Sequence, residues 1–258
     1  MPTSGELDVN YFSYGSEYTN EKATPGYYSN ELTKYGVKTE VTATTRSSCE
    51  RYTFPSGKGN IILNLGQGLS NECGAMVRRV SETEIEGFKL LGTFCYTTQA
   101  VFPVYFVMRV SKKPSTSGAW KFQPLLTGVE AEWTPDDGTY KLYENYYREV
   151  AGDNIGYRFC YDNLADNEQI TVQMGVSFVS VENARENLDA EQNGRNFDEV
   201  HANAVERWND DLGRITIEGG TADQQTIFHR SRGRCLRNNS FGSLQDRLNR
   251  RLGNGRMI

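Results

Sequence analysis

Three carboxylates at alternate positions, Glu82, Glu84 and Glu86, stand in "SETEIEGFKLLG". In a strand this spacing puts all three on one face, against Thr83, Ile85 and Gly87 on the other. Paired carboxylates can do general acid–base work, but nothing in the spacing selects a pair, and the reading is a solvated strand face. Asp136 and Asp137 in "TPDDGTY" offer oxygen ligands, yet calcium takes six or more oxygens from several positions. Asp-Asp-Gly is first of all a turn. The two histidines, His201 and His229, are not spaced as a metal pair, and no Ser/His/Asp pattern accompanies them. The five cysteines (Cys49, Cys73, Cys95, Cys160 and Cys235) form no Cys-x-x-Cys and are odd in number, which reads as idle or buried thiols.

Two glycine-rich stretches fail as phosphate cradles. "LGQGLSNECG" has Gly66-x-Gly68 after a strand, but Asn71 stands where a dinucleotide fingerprint needs its third glycine. "PSGKGN", with Gly57-Lys58-Gly59, lacks the P-loop spacing and reads as a hairpin turn. Trp120, Trp133 and Trp208 could stack on sugars, although aromatics in strands more often pack in a core. No residue emerges as catalytic or as a metal ligand.

The elements that would position these groups are mostly strands. "VKTEVTATT" alternates Val37, Thr39, Val41 and Ala43 against Lys38, Glu40, Thr42 and Thr44, the period of a half-buried strand. "RYTFP", "GNIILNLGQG", "MVRRVSETEIEGFKLLG" (two strands), "VFPVYFVMRVS", "YRFCYDNL" and "QITVQMGVSFVS" add more, punctuated by Gly and Pro. Many short strands of this kind predict an antiparallel β-sandwich. Two helices follow: 180–192, with Ser180 as N-cap, and 196–212. The second carries Phe197, Val200, Ala204, Trp208 and Leu212 on one face, Asn196 and Glu199 as a capping box, and Gly213 as a stop. His201 falls in its polar part, and "RITIEGG" reads as one more strand. Residues 1–220 are taken as one structural unit.

Hydrophobic content of 37% and aromatic content of 12% are enough for a core. No run of about 18 apolar residues is present to span a membrane, and the N-terminus has neither the basic start nor the apolar region of a signal peptide. The chain as given is therefore expected in the cytoplasm. The net charge of −5 conceals an asymmetry: residues 229–258 hold eight Arg, no Lys and one acid (Asp246), while residues 1–228 carry a charge of −12. An acidic body is not expected to bind nucleic acid.

Several stretches in register carry a resemblance: "EKATPGYYSNEL", "TEVTATTRSSCERYTFP", "SETEIEGFK", "VYFVMRVSKKP", "MGVSFVSVENARENL", "FDEVHANAVERWNDDLGRITIEGGT" and "QQTIF". Over residues 1–228 the chain resembles the N-terminal region of glycoside hydrolase family 92, the calcium-dependent exo-α-mannosidases. The resemblance implies a galactose-mutarotase-like β-sandwich joined through two linking helices to an (α/α)6 barrel that is absent here. It implies cleavage of terminal mannose from glycans with inversion, α-1,2 linkages first, by a Glu acid and an Asp base with Ca²⁺ bound in the barrel. Residues 221–228 would begin that barrel. With no barrel, the chain is expected to hold no catalytic residue, no metal and no cofactor of its own, and to be inactive alone. A carbohydrate-binding or structural module is the alternative. The chain departs from the family pattern at Tyr18 and Glu50, each standing where the family has His. After Phe228 the Arg-only tail, without helical periodicity, reads as disordered off-frame translation.

Overall fold

The computed structural model describes residues 1–66, 72–92, 101–124, 138–146, 148–215 and 217–228. They fall into two compact units, one running from Met1 to Ala204 and the other beginning at Val205.

The first unit is the antiparallel sandwich predicted from the strand pattern. Its strands are β1 (Pro2–Ser4), β2 (Tyr18–Thr24), β3 (Tyr27–Leu32), β4 (Val37–Ala43), β5 (Ser47–Phe54), β6 (Gly57–Asn64), β7 (Glu72–Arg79), β8 (Glu84–Leu91), β9 (Phe102–Val110), β10 (Thr116–Pro124), β11 (Gly138–Glu144), β12 (Val150–Gly152), β13 (Ile155–Leu164) and β14 (Glu168–Ser177). Five of them form one sheet in the order β1-β6-β13-β10-β11, and nine form the other in the order β12-β7-β8-β9-β14-β5-β4-β3-β2.

The inner faces meet in one apolar core. Alternate residues supply it: Tyr52 and Phe54 from β5, Phe106, Met108 and Val110 from β9, Tyr157, Phe159 and Tyr161 from β13, Ile170 and Val172 from β14. Period-two alternation is what lets each strand give one face to this core.

The segment 55–56 is not a hairpin turn. It carries the chain from β5 in the nine-stranded sheet to β6 in the five-stranded one. Gly57 takes φ +111° at the crossing, a conformation open mainly to glycine.

Helix α1 (Val181–Gln192) begins at Ser180, whose Oγ accepts from the Asn183 amide at 3.1 Å. Helix α2 (Phe197–Gly213) has the predicted capping box: the Asn196 amide donates to Glu199 Oε2 at 2.8 Å, and the Glu199 amide donates to Asn196 Oδ1 at 3.0 Å. Phe197, Val200 and Ala204 are buried, while Trp208 and Leu212 are half-buried.

The described residues of "RITIEGG" are not a strand. Gly219 and Gly220 have φ of +78° and +80°, which breaks an extended run, and Ile215 is exposed. A short third helix, residues 222–228, follows. Thr221 and Gln224 cap it reciprocally, each amide donating to the other's side-chain oxygen.

Candidate functional site

Helix α1 lies on the outer face of the nine-stranded sheet, across β14 and β9 and touching β5 and β8. That placement changes the reading of the three glutamates. Their outward face is covered, so Glu84 and Glu86 are not solvated: their side chains keep 14% and 5% of their exposure, against 55% for Glu82. Burying a carboxylate without a partner is costly, and here each has two. Arg109 Nε donates to Glu84 Oε2 at 2.5 Å, and Arg185 Nη1 donates to Glu84 Oε1 at 2.6 Å. Glu86 Oε1 accepts from Arg78 Nε at 2.6 Å, and Glu86 Oε2 accepts from Arg185 Nη2. Arg109 Nη1 reaches back to the helix at Asp189 Oδ1, 2.5 Å away.

A shallow recess of about 450 Å³ opens beside this network, between the β7–β8 turn and the first turn of α1. Arg78, Arg79, Val80, Glu86, Val181, Glu182 and Arg185 line it. Its one buried carboxylate, Glu86, has both oxygens bonded to guanidiniums, which suits holding elements together.

A second charged group sits under the start of α2. Glu40 is buried on β4, against the alternation that placed it in solvent, and Thr42 is buried with it, while Ala43 is exposed. The cause is the same: α2 and Tyr27 cover that side. Arg51 Nε and Nη2 donate to the two Glu40 oxygens at 2.8 and 3.0 Å, and the Tyr27 hydroxyl donates to Oε1 at 2.8 Å. Burial alone would raise this carboxyl. The bonds from Arg51 and Tyr27 and the charges of Arg51 and Lys38 outweigh it and hold the pKa down at about 2. Arg51 also stacks on Phe197 at 4.3 Å and bridges Asp198 at 2.9 Å. His201, expected in a polar part of the helix, lies against the Tyr27 ring with centroids 4.7 Å apart.

The other sequence candidates scatter. Trp120 is fully buried and cannot offer a sugar platform. Gly66 lies tight against Asn154, whose Cα would be 2.6 Å from an added Cβ. Cys49 and Cys160 are free and buried, and burial pushes the Cys49 thiol up to about 12. Tyr18 is exposed on β2. Glu50 is half-buried and accepts from the Tyr52 hydroxyl. Gly68, Asp136, Asp137, Trp133, His229 and the 229–258 tail lie outside the described residues, as do Cys95 and Cys235.

Among the described residues no three His, Cys, Asp or Glu side chains gather into a set that could hold a metal ion. The described part therefore does not fit a calcium site, and no step is assigned to one. No described helix is long and apolar enough to cross a membrane.

The residue pattern did not reveal this arginine–glutamate network, because the face of Glu82, Glu84 and Glu86 reads as solvated. A signal was present: Ala184, Leu188 and Gln192 recur every four residues on α1, a stripe that needs a surface to cover.

Comparison with known proteins completes the site's setting. The family model of the glycosyl hydrolase family 92 N-terminal domain matches residues 1–177, and that of the family 92 catalytic domain matches residues 183–236. The second match includes nearly all of α1, the whole of α2 and the first residues of the arginine-rich stretch. No curated protein matches the chain. Among solved structures, the chain is similar to the family GH92 alpha-mannosidase BT3965 from Bacteroides thetaiotaomicron, with 25% identity and a TM-score of 0.69 over 85% of this chain and 29% of that one. The same mannosidase in complex with mannoimidazole matches at 26% identity and a TM-score of 0.67, over 85% of this chain and 28% of that one. The fold is also that of the family GH92 inverting mannosidase BT2199 from Bacteroides thetaiotaomicron VPI-5482, at 24% identity and a TM-score of 0.68 over 86% and 27% of the two chains. The chain thus spans less than a third of the length of each.

Proposed function

The chain belongs to glycosyl hydrolase family 92, and from that membership we propose that it supplies the N-terminal β-sandwich of an α-mannosidase that removes terminal mannose from glycans, α-1,2 linkages first and with inversion. The observation that carries this reading is the tandem match, N-terminal domain over 1–177 and catalytic domain over 183–236, in the order of one enzyme. Inversion needs one carboxylic acid at the leaving oxygen and one carboxylate activating a water across the ring. The covered carboxylates described here, buried Glu40 and Glu86 and half-buried Glu84, are each held by arginine, so none is assigned either role. We place the acid, the base and the Ca²⁺ of the family in the remainder of the catalytic domain, and the sandwich in a supporting role.

The test is direct. The 258-residue chain, given α-1,2-mannobiose with Ca²⁺, is expected to release no mannose. Release above the blank would overturn the assignment of the chemistry to the rest of the enzyme.

One feature favours a second reading, a module that binds glycans without cleaving them. Tyr11 and Phe12 are exposed by 47% and 62% and meet edge to face at 5.5 Å, on a turn held by Asp8 and Asn10. Aromatic faces suit the apolar C–H edges of pyranose rings. Mannose-competed binding that is lost in Tyr11→Ala/Phe12→Ala would favour it; a flat titration leaves the supporting role alone.

A further inference from the structure

The link between α1 and α2, residues 193–196, is short and fixed at both ends. Gln192 is 1% exposed and donates from Nε2 to Ser47 Oγ at 2.7 Å. Beside it, Glu191 Oε2 accepts from the Arg46 amide at 2.9 Å. At the far end Phe197 is 2% exposed and packs with Val200 and Cys49, and the Asn196–Glu199 capping box closes the start of α2.

Asn193-Gly194 stands inside this link. Asparagine is a thermolabile side chain, most of all before glycine, whose amide nitrogen no Cβ shields. Here the pair is open to that chemistry. Asn193 is exposed, and neither its carboxamide nor the Gly194 N–H has a hydrogen-bond partner among the described residues. Gly194 holds φ +69°, and a Cβ there would meet nothing within 4 Å. At ψ 122° the Asn193 Cγ does not yet face the Gly194 nitrogen, and meeting it takes a swing about the Asn193 Cα–C bond. Against that swing the Arg195 amide donates to the Gln192 carbonyl oxygen at 3.0 Å, Gln173 Nε2 donates to the Arg195 carbonyl oxygen at 3.2 Å, and Arg195 Nη1 donates to the Glu191 carbonyl oxygen at 3.3 Å. Bonds at an exposed turn open locally at little cost.

We propose that Asn193 is a site of covalent modification, where the chain converts to aspartate and isoaspartate through a succinimide closed by the Gly194 nitrogen. Hydroxide takes the Gly194 amide proton. The nitrogen then bonds to Asn193 Cγ, and the Cγ–Nδ2 bond breaks to release ammonia. Water opens the ring. Cleavage of the new Cγ–N bond leaves aspartate; cleavage of the backbone C–N bond leaves isoaspartate, whose main chain runs through Cβ and Cγ. One water enters, one ammonia leaves, and nothing is oxidised or reduced.

Both products put a carboxylate at the C-terminal end of α1, where the last turn has no basic residue and already carries Asp189 and Glu191. Negative charge there opposes the helix dipole. Isoaspartate also lengthens the main chain between two buried anchors. The last turn of α1 and the first turn of α2 are the parts this loosens.

The full chain, held at mildly alkaline pH in its native state and in parallel in urea, tests the proposal. Peptides carrying residue 193 are followed by mass and by labelling with an isoaspartyl methyltransferase. The native chain is expected to form isoaspartate at 193 within about 10-fold of the rate in urea, and Asn193→Gln, whose longer side chain closes the ring poorly, is expected to form none there. A slower native rate than that, or no conversion in either sample, overturns the proposal. In the converted chain, amides of 189–192 and 197–200 are expected to exchange with solvent about 10-fold faster while those of β13 stay unchanged. Equal exchange before and after conversion would show slack in the link and overturn the loosening.

Discussion

Glu86 and Arg185, 99 residues apart in sequence, are joined by a hydrogen bond from Arg185 Nη2 to Glu86 Oε2 while Arg78 holds the other oxygen. The bond links a strand of the sandwich to the helix above it. Glu82, four residues earlier, is exposed and pairs with Lys113.

That contrast gives the first prediction. Glu86→Ala removes one acceptor each from Arg78 and Arg185, which keep Glu149 and Glu84, and should cost about 2 kcal/mol. Glu82→Ala should cost less than about 0.5 kcal/mol. Urea unfolding of the two variants measures both.

The helix needs the glycine gap on β14. Gly175→Ala should destabilise by about 2 kcal/mol, because the new methyl meets helix backbone that cannot move alone. Gly194→Ala meets nothing within 4 Å but must hold φ +69°. Its cost should be about 1 kcal/mol, from backbone strain only. A larger loss at 194 than at 175 would contradict the docking described.

Glu40 predicts an acid limb. Its folded pKa of about 2 lies below its unfolded value, so its stabilisation is fully present above the unfolded carboxylate range, near pH 4 to 5, and is lost as pH falls toward 2. Glu40→Gln should flatten stability between those values by about 2 kcal/mol relative to the unaltered chain. An unchanged acid profile would show that Arg51 does not hold this carboxylate.

The thiols of Cys49 and Cys160 are buried, and burial raises both. Alkylation of the native chain at pH 8 followed by peptide mapping should leave both unmodified, and both should react once the chain is unfolded.

The strand pattern, the sandwich, both helix starts and the capping box at Asn196 and Glu199 were legible in the residues, because each depends on neighbours within a few positions. The family resemblance was legible for a related reason: its motifs are local runs in order along the chain. The sandwich crossing at 55–56 was not legible, since a two-residue link reads as a hairpin unless the sheet of each strand is known.

The sequence by itself determined which residues alternate, where helices begin, and that the body is acidic. Which face of each strand meets solvent was decided only in three dimensions. Glu40, Glu84 and Glu86 alternate as outward residues should, yet two helices from the end of the sandwich fold back over them. Alternation sets one side of a strand against the other, and it does not say whether a later element will cover the second side. That depends on a partner about a hundred residues away, and the charges on β8 and on α1 match only once the tertiary structure has brought them together.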